Sequence, residues 1–567
     1  MGFLGILEDK KLPHVPATVK LEEYSEHQTI SNTQALKHGT GKSAHIVLVP
    51  QPSDDPNDPL NWPAAKKLTV TLVHCFGGCL YAAVVSRLLN SSVAVIAQDY
   101  GRNISDIVLL SGYQLLMAAS TEAFVAAISR KYGKRPVFLV SSLLGFIGSI
   151  VGSVTNSYEG LLAARIIQGG STAAYESLLV SLNGDLYFVH QRGFYMTVVQ
   201  FVLGCVSNFF GIVAGPITTN LGWRYLFHLC VLFTGLETIL TFLFCPETQY
   251  NRNHLLDIYE TIEENLEAVA VLEKKGRPHH LEQPESDPSN KNDNNIGEPI
   301  RATSTRQSIL PPKKSLVQEL AIFTGTYTDE NFLMLLIAPF AVCTNVVVLW
   351  VVVITGTMTA TYVAQAIVLA QIFSPLPYLL TPTGVGNLFL RPFTGGVIAT
   401  IILALLSDPI IKACARKNNG VYEPEFRLVV FPFGLLAGAA MMGWGIACER
   451  NVSVYATATL HGNTLFGILF VAISASGYGL DAFRDLSSEM FVAGIIYKNF
   501  LFYGFSNFVN NWLVTSGPGA VFYALGGLDL GLVALAPIVY IFGKRYRSIW
   551  ARYNILERLH IRAHPEI

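Results

Sequence analysis

Long apolar runs separated by short polar turns dominate the chain from residue 68 to residue 542. About 20 consecutive apolar residues let a helix cross the hydrocarbon of a bilayer. A first series of such runs lies at residues 68–86, 106–128, 137–154, 158–182, 194–219 and 225–245. A second lies at 333–358, 384–406, 428–448, 463–483, 490–514 and 521–542. Between the series, residues 254–275 have helical periodicity and mixed charge, which predicts a surface helix. PESDPSNKNDNN is too poor in apolar residues to build a core. SLVQELAIF, residues 315–323, reads as a short amphipathic piece on a membrane surface. Residues 359–383, with PLPYLLTPTG inside them, are expected as an exofacial loop holding a partly buried helix. The expected fold is an all-α membrane protein of twelve transmembrane helices in two six-helix halves. Its segments are 1–66, 67–246, 247–331, 332–543 and 544–567, the first, third and last being cytosolic.

Composition agrees with this pattern. The 567 residues are 51% hydrophobic and 14% charged, with a mean hydropathy of +0.41, too apolar for a soluble protein of this length. A net charge of −1 gives no footprint for nucleic acid. The eight cysteines are scattered, mostly inside apolar runs, and suggest neither a metal site nor a disulfide framework. No cofactor is expected. The opening MGFLGILEDKKLPHVP lacks a secretory apolar region, and Ile6 counts against myristoylation, so the first span is expected to act as the insertion signal.

Lysines and arginines in short loops set orientation. Arg130, Lys131, Lys134, Arg135, Arg192, Lys412, Arg416, Lys417, Arg427, Arg484, Lys544, Arg545 and Arg547 fall on one side, while the other has few, such as Arg102, Arg224 and Arg450. The basic side is expected to be cytosolic, with both termini on it. The sequons at Asn90, Asn103 and Asn451 fall opposite, where N-glycosylation occurs. The plasma membrane is the expected location, with the vacuolar membrane as the alternative, and a monomer is the expected state.

The fourth run, YEGLLAARIIQGGSTAAYESLLVSL, breaks the apolar rule from within. Arg165 and Glu176 stand eleven positions apart, about three turns, and so share a face with Gln168. A charge at membrane depth persists where it faces a bundle interior or a watery cavity. Such a polar stripe suits a solute pathway, or an ion pair that only locks helices together.

Seven boundary motifs carry a family resemblance: DPNDPLNWP before the first span, KYGKRP after the second, RIIQGG in the fourth, DLYFVHQRG after it, GIVAGP in the fifth, PETQYNR after the sixth and KNNGVYEPEFRL after the eighth. On these the chain resembles fungal members of the major facilitator superfamily, in the twelve-span drug:proton antiporter branch. The resemblance implies that Arg165 takes part in proton transfer. A guanidinium does not itself deprotonate, so it would tune a nearby acid or organise water. Glu122, Glu176 and Glu237 are the proton carriers the sequence offers. Gly133 and Arg135 in KYGKRP, Asp185 and Arg192 in DLYFVHQRG, and Gly211, Gly215 and Pro216 in GIVAGP are expected to serve conformational change. KYGKRP departs from the family pattern, with Arg130 where an aspartate is usual. Tyr81, Gln114, Asn345, Trp350 and Tyr478 are the candidates for the substrate cavity.

No phosphate-binding loop or catalytic constellation is present, so an enzyme is not expected. The leading expectation is proton-coupled efflux of a small organic molecule: a drug, toxin or secondary metabolite. The expected partners are that substrate, protons and the lipid bilayer. Uptake of a cationic solute such as a polyamine is the alternative, because buried carboxylates attract cations, and a non-transporting nutrient sensor is the third.

Overall fold

The computed structural model describes residues 5–7, 15–20, 52–53, 55–188, 195, 198–199, 201–250 and 312–558. Arg192 and the central stretch 251–311 lie outside the described residues. Among the described residues nine helices are long and apolar enough to cross a membrane. They include α1 (Ala64–Arg87), α2 (Ile104–Tyr132), α3 (Lys134–Val154), α6 (Arg224–Phe244), α7 (Val346–Phe373), α8 (Pro382–Lys417), α9 (Pro424–Glu449) and α10 (Val454–Ala482). The ninth, Arg484–Arg552, breaks at Gly517, where φ is +78° and Pro518 follows. It therefore makes two crossings, α11 up to residue 516 and α12 from 518. Two more helices complete the pattern: α4 (Tyr158–Leu186), polar along one stripe, and α5 (Ser207–Asn220), which continues a π-helical turn at Val202–Val206. Among the described residues, helix thus occupies each of the twelve expected spans.

The seventh crossing differs from expectation. Phe332–Ala341 is a separate short helix, and α7 starts afresh at Val346. The Asn345 side chain causes the restart, accepting from Val347 N (3.0 Å) and Val348 N (3.2 Å) as an N-cap. Apolar patterning does not detect such a break, because both sides of it are apolar. The expected exofacial loop at 359–383 is mostly helix, running to Phe373. Its threonines turn their hydroxyls onto the preceding helical turn, as Thr359 does to Thr355 O at 2.7 Å. Only 374–381 remains as a connection, and Thr381 then caps α8.

Residues 5–7 and 15–20 lie on the C-terminal half, on the face that carries the α2–α3 turn and the end of α12. This is the terminal face, and the opposite one is the distal face. Ile6 is buried with Ala415 and Phe426, and Leu7 N donates to Ile541 O at 3.0 Å. Strand β1 (Val19–Lys20) pairs antiparallel with β2 (Val421–Tyr422). Asp55 and Ser53 bond instead to Tyr250 of the N-terminal half.

The core is divided unequally between the halves. On the distal side one apolar cluster joins both, with Leu88, Ile96 and Trp223 from the first and Phe373, Phe389 and Trp444 from the second. Toward the terminal face the large clusters belong to one half each. The seam follows α2 against α11 and α5 against α8. The α5–α8 contact uses GIVAGP: a Cβ on Gly215 would lie 2.6 Å from Pro382 O, and one on Gly211 2.7 Å from the Phe389 ring. Small residues let the two backbones meet.

Candidate functional site

Arg165 is fully buried in α4. Its Nη1 donates to Val85 O (2.8 Å, α1) and Gln168 Oε1 (3.0 Å), and Nη2 to Ser111 Oγ (3.4 Å, α2). Gln168 in turn donates to Ser149 Oγ of α3 at 3.2 Å. The guanidinium therefore ties the distal end of α1 to α2 and α4. No acidic side chain is among these partners; carbonyl, amide and hydroxyl oxygens take its bonds. Two residues beyond Val85, Arg87 bonds Asn208 Oδ1 of α5 at 2.8 Å. Tyr362 of α7 donates to the same oxygen at 2.6 Å, and the Arg87 guanidinium lies 5.4 Å from the Tyr362 ring. This three-residue knot joins the halves at the distal side.

The three acids separate in space and surroundings. Glu237 of α6 sits inside the N-terminal half, where Tyr81 (3.0 Å), Tyr175 (2.7 Å) and Thr241 (2.7 Å) all donate to it. Glu176 faces the seam. Lys498 of α11 donates to both its oxygens, at 3.0 and 3.1 Å, and Asn499 donates to Oε2 at 3.0 Å. Glu122 of α2 is 0% exposed, and neither of its oxygens meets a hydrogen-bond partner of good geometry. The groups acting on it are the Ser177 hydroxyl, the Glu176 carboxylate and the Lys498 ammonium. Glu122, Glu176 and Lys498 thus form one cluster on α2, α4 and α11, at the junction of the halves.

Lys498 was not among the residues singled out from the sequence, nor was Asp529 of α12, which is buried and accepts from Thr361 Oγ1 at 3.2 and 3.0 Å. The signal was present: each is an ionisable residue inside a predicted span.

On the terminal face of the N-terminal half the boundary motifs meet. Lys134 Nζ bonds Asp185 Oδ2 at 2.7 Å and Ser181 Oγ at 2.6 Å. The Glu247 carboxylate accepts from the backbone N–H of Lys134 (3.0 Å), Arg135 (3.1 Å) and Gln249 (2.8 Å). Burial pushes this carboxyl up from the ordinary range, against the pull of those three donors. Arg135 closes the turn on the carbonyls of Cys245, Phe242, Leu320 and Ala321. Arg130 reaches across the seam to Glu489 Oε1 at 2.6 Å. Gly133 is required by the geometry, with φ +97° and an added Cβ only 2.1 Å from Glu247 Oε2. Gly133→Ala is expected to destabilise the protein by about 2 kcal/mol or more, since a non-glycine residue forced into this backbone region alone costs about 1–3 kcal/mol. Thermal unfolding in detergent reads this as a lower transition temperature.

On the C-terminal half, Arg547 bonds Glu423 and Glu425, each at 2.9 Å, together with the Pro16 carbonyl, and Arg427 pairs with Asp481.

The five cavity candidates do not line one space. Tyr81 and Gln114 are buried within the N-terminal half, Gln114 donating to Thr172 Oγ1 at 3.4 Å. Asn345 is a helix cap. Trp350 packs on Phe431 (5.6 Å) and Tyr478 (6.5 Å), and Tyr478 lies near Glu425 at the terminal end of α10. Tyr81, Gln114, Trp350 and Tyr478 pack against neighbouring helices and Asn345 caps its own, which sequence position does not reveal. The Asn90 side chain is 4% exposed and so cannot present a glycan, whereas Asn103 and Asn451 are exposed.

The family described as Major Facilitator Superfamily matches residues 75–480, and the chain belongs to it. The chain is 24% identical to Protein HOL1 of Saccharomyces cerevisiae, over 97% of this chain and 98% of that one. It is 22% identical to Efflux pump radE of Floropilus chiversii, over 87% and 84%. Among solved structures, the proton:xylose symporter XylE of E. coli, bound to 6-bromo-6-deoxy-D-glucose, shares the fold. The TM-score is 0.53 at 14% identity, covering 86% of this chain and 100% of that one. The protein is therefore a membrane-embedded secondary transporter of small molecules and not an enzyme.

Proposed function

We propose that the protein is a proton-coupled transporter of small organic molecules in which Glu122 takes up and releases the coupling proton. One observation carries this: a fully buried carboxyl with no well-formed hydrogen bond, beside a second acid and an ammonium, at the junction of two halves that must move for transport. A bare carboxylate in a low-dielectric site is costly, so such a group exchanges a proton or a cation readily. The terminal face, with its clustered lysines and arginines, is read as cytosolic and the membrane as the plasma membrane. The joint apolar cluster and the Arg87–Asn208–Tyr362 knot hold the halves together on the distal side, and Arg130–Glu489 and Glu176–Lys498 hold them along the rest of the seam, so we read the arrangement as an occluded stage of alternating access.

Export of a toxin, drug or metabolite is the leading direction, supported by the relative named as an efflux pump. Uptake of a cationic solute is the second reading, favoured by the two acids that share one lysine. Expression in a yeast strain lacking its own pumps separates them. Lower accumulation of a toxic compound, abolished by a protonophore, supports export. Higher accumulation of organic cations supports uptake. No change across a broad panel of neutral and cationic compounds contradicts both.

A further inference from the structure

The seam cluster has an imbalance of charge. Glu122 and Glu176 are two acids, and among the described residues Lys498 is the base that acts on both. With both acids ionised the cluster is one positive charge short of neutrality. Farther along the seam, Arg130 and Glu489 face each other as base and acid. Lys498 is placed to matter for a ligand. Its side chain is 23% exposed and that of Glu176 11%, so the pair can be reached while Glu122 behind it is closed off. Lys498 stands on the second half and Glu176 on the first, so the bond between them is strained or broken whenever the halves separate there.

We propose that Lys498 is the specificity-determining residue of the site: its ammonium satisfies Glu176, and the seam then takes up one further positive charge, as a proton or as a monovalent organic ammonium. The inference rests on the proton-coupled reading above and adds to it the charge of the cargo. Proton and cargo compete for one vacancy, so release of one accompanies binding of the other. Lys498 also marks the chemistry that fits, since its own ammonium donates to Glu176 Oε1 and Oε2 at 3.0 and 3.1 Å. A cargo ammonium with N–H donors can make the same bonds to Glu122, beside the Ser177 hydroxyl.

The charge count makes the test specific. Lys498→Met leaves two acids and a demand for two positive charges. Adding Glu122→Gln to it restores a demand for one, and Lys498→Arg keeps the original balance. Binding of propylammonium and of doubly charged 1,3-diaminopropane to the purified full chain is measured by calorimetry near neutral pH. Wild type and Lys498→Arg are expected to favour the monovalent ion. Lys498→Met should shift the affinity ratio toward the divalent ion by about tenfold or more, a modest share of what one extra charge a few ångströms away supplies at intermediate dielectric. The double variant should return the ratio to the wild-type value. A purely structural lysine would weaken both ligands alike. A shift under about threefold in Lys498→Met, well below that charge effect, overturns the proposal. So does a double variant that behaves like the single one, or a wild type that binds neither ion. These ratios report binding alone, so they fail independently of the protonophore assay that tests proton coupling.

Discussion

Glu122→Gln is expected to abolish protonophore-sensitive transport while leaving the protein folded. The substitution keeps the shape of the side chain and removes its ability to carry a proton. A positioned proton-transfer group contributes about 10²–10⁴-fold to a rate, and a coupled transporter that has lost its proton carrier should fall by a similar factor. Stability should move the other way or not at all. No hydrogen bond to Glu122 oxygen is lost, because neither oxygen has a partner of good geometry. An amide is also easier to bury than a bare carboxylate. The variant is therefore expected to unfold at the same temperature as wild type or higher. Loss of transport together with a lower transition temperature would instead make Glu122 a structural residue.

Arg165→Met is expected to give a similar loss of transport for a different reason. Arg165 touches none of the three acids. It holds the carbonyl of Val85, the amide of Gln168 and the hydroxyl of Ser111, and so fixes the stretch of α1 that presents Arg87 to Asn208 and Tyr362 across the seam. It is a positioning residue. Two opposed contributions decide the stability of the variant. Hydrogen bonds to a charged group contribute about 1.5–3 kcal/mol each, and three are lost. Burying an ion without a counter-charge costs several kcal/mol, and that cost is relieved. The sum is small, so the unfolding temperature is expected to change by no more than about 5 °C, where 1 kcal/mol moves a large domain by about 2–4 °C. Transport by Arg165→Lys should recover little, because an ammonium cannot reproduce the planar fork that spans three acceptors. Full recovery by lysine would show that charge alone is what Arg165 supplies.

The sequence was most informative where physics acts over short range. Apolar runs, basic turns and the boundary motifs gave twelve helical crossings and two halves. They failed at 331–383, where a single asparagine restarts a helix inside an unbroken apolar stretch. The site was legible in kind rather than in arrangement. Glu122, Glu176, Glu237 and Arg165 were all visible as charges at membrane depth, but on sequence grounds any of the acids could partner Arg165. The fold gives Glu237 to two tyrosines and a threonine, gives Glu176 to a lysine more than 300 residues away, and leaves Glu122 without a well-formed hydrogen bond. Separations of that size between contacting residues are set by how two halves pack, and no spacing rule reaches them. Lys498 and Asp529 carried the same signal, a charge inside a predicted span, and only their partners, Glu176 and Thr361, were beyond reach of the sequence. The cavity residues were the least legible, because a polar side chain in a helix looks the same whether it faces a solute or a neighbouring helix.

The most direct test of proton coupling through Glu122 is proton movement itself. Wild type and Glu122→Gln are reconstituted into liposomes containing a pH-sensitive dye, with no initial pH gradient and with the membrane potential clamped. Methylguanidinium, a monovalent cation that keeps its N–H donors and stays charged near neutral pH, is then added outside. The account predicts proton efflux from wild-type liposomes that rises with the added cation and is absent from Glu122→Gln. Equal efflux from both, or cation entry into wild-type liposomes with no proton movement, would contradict it.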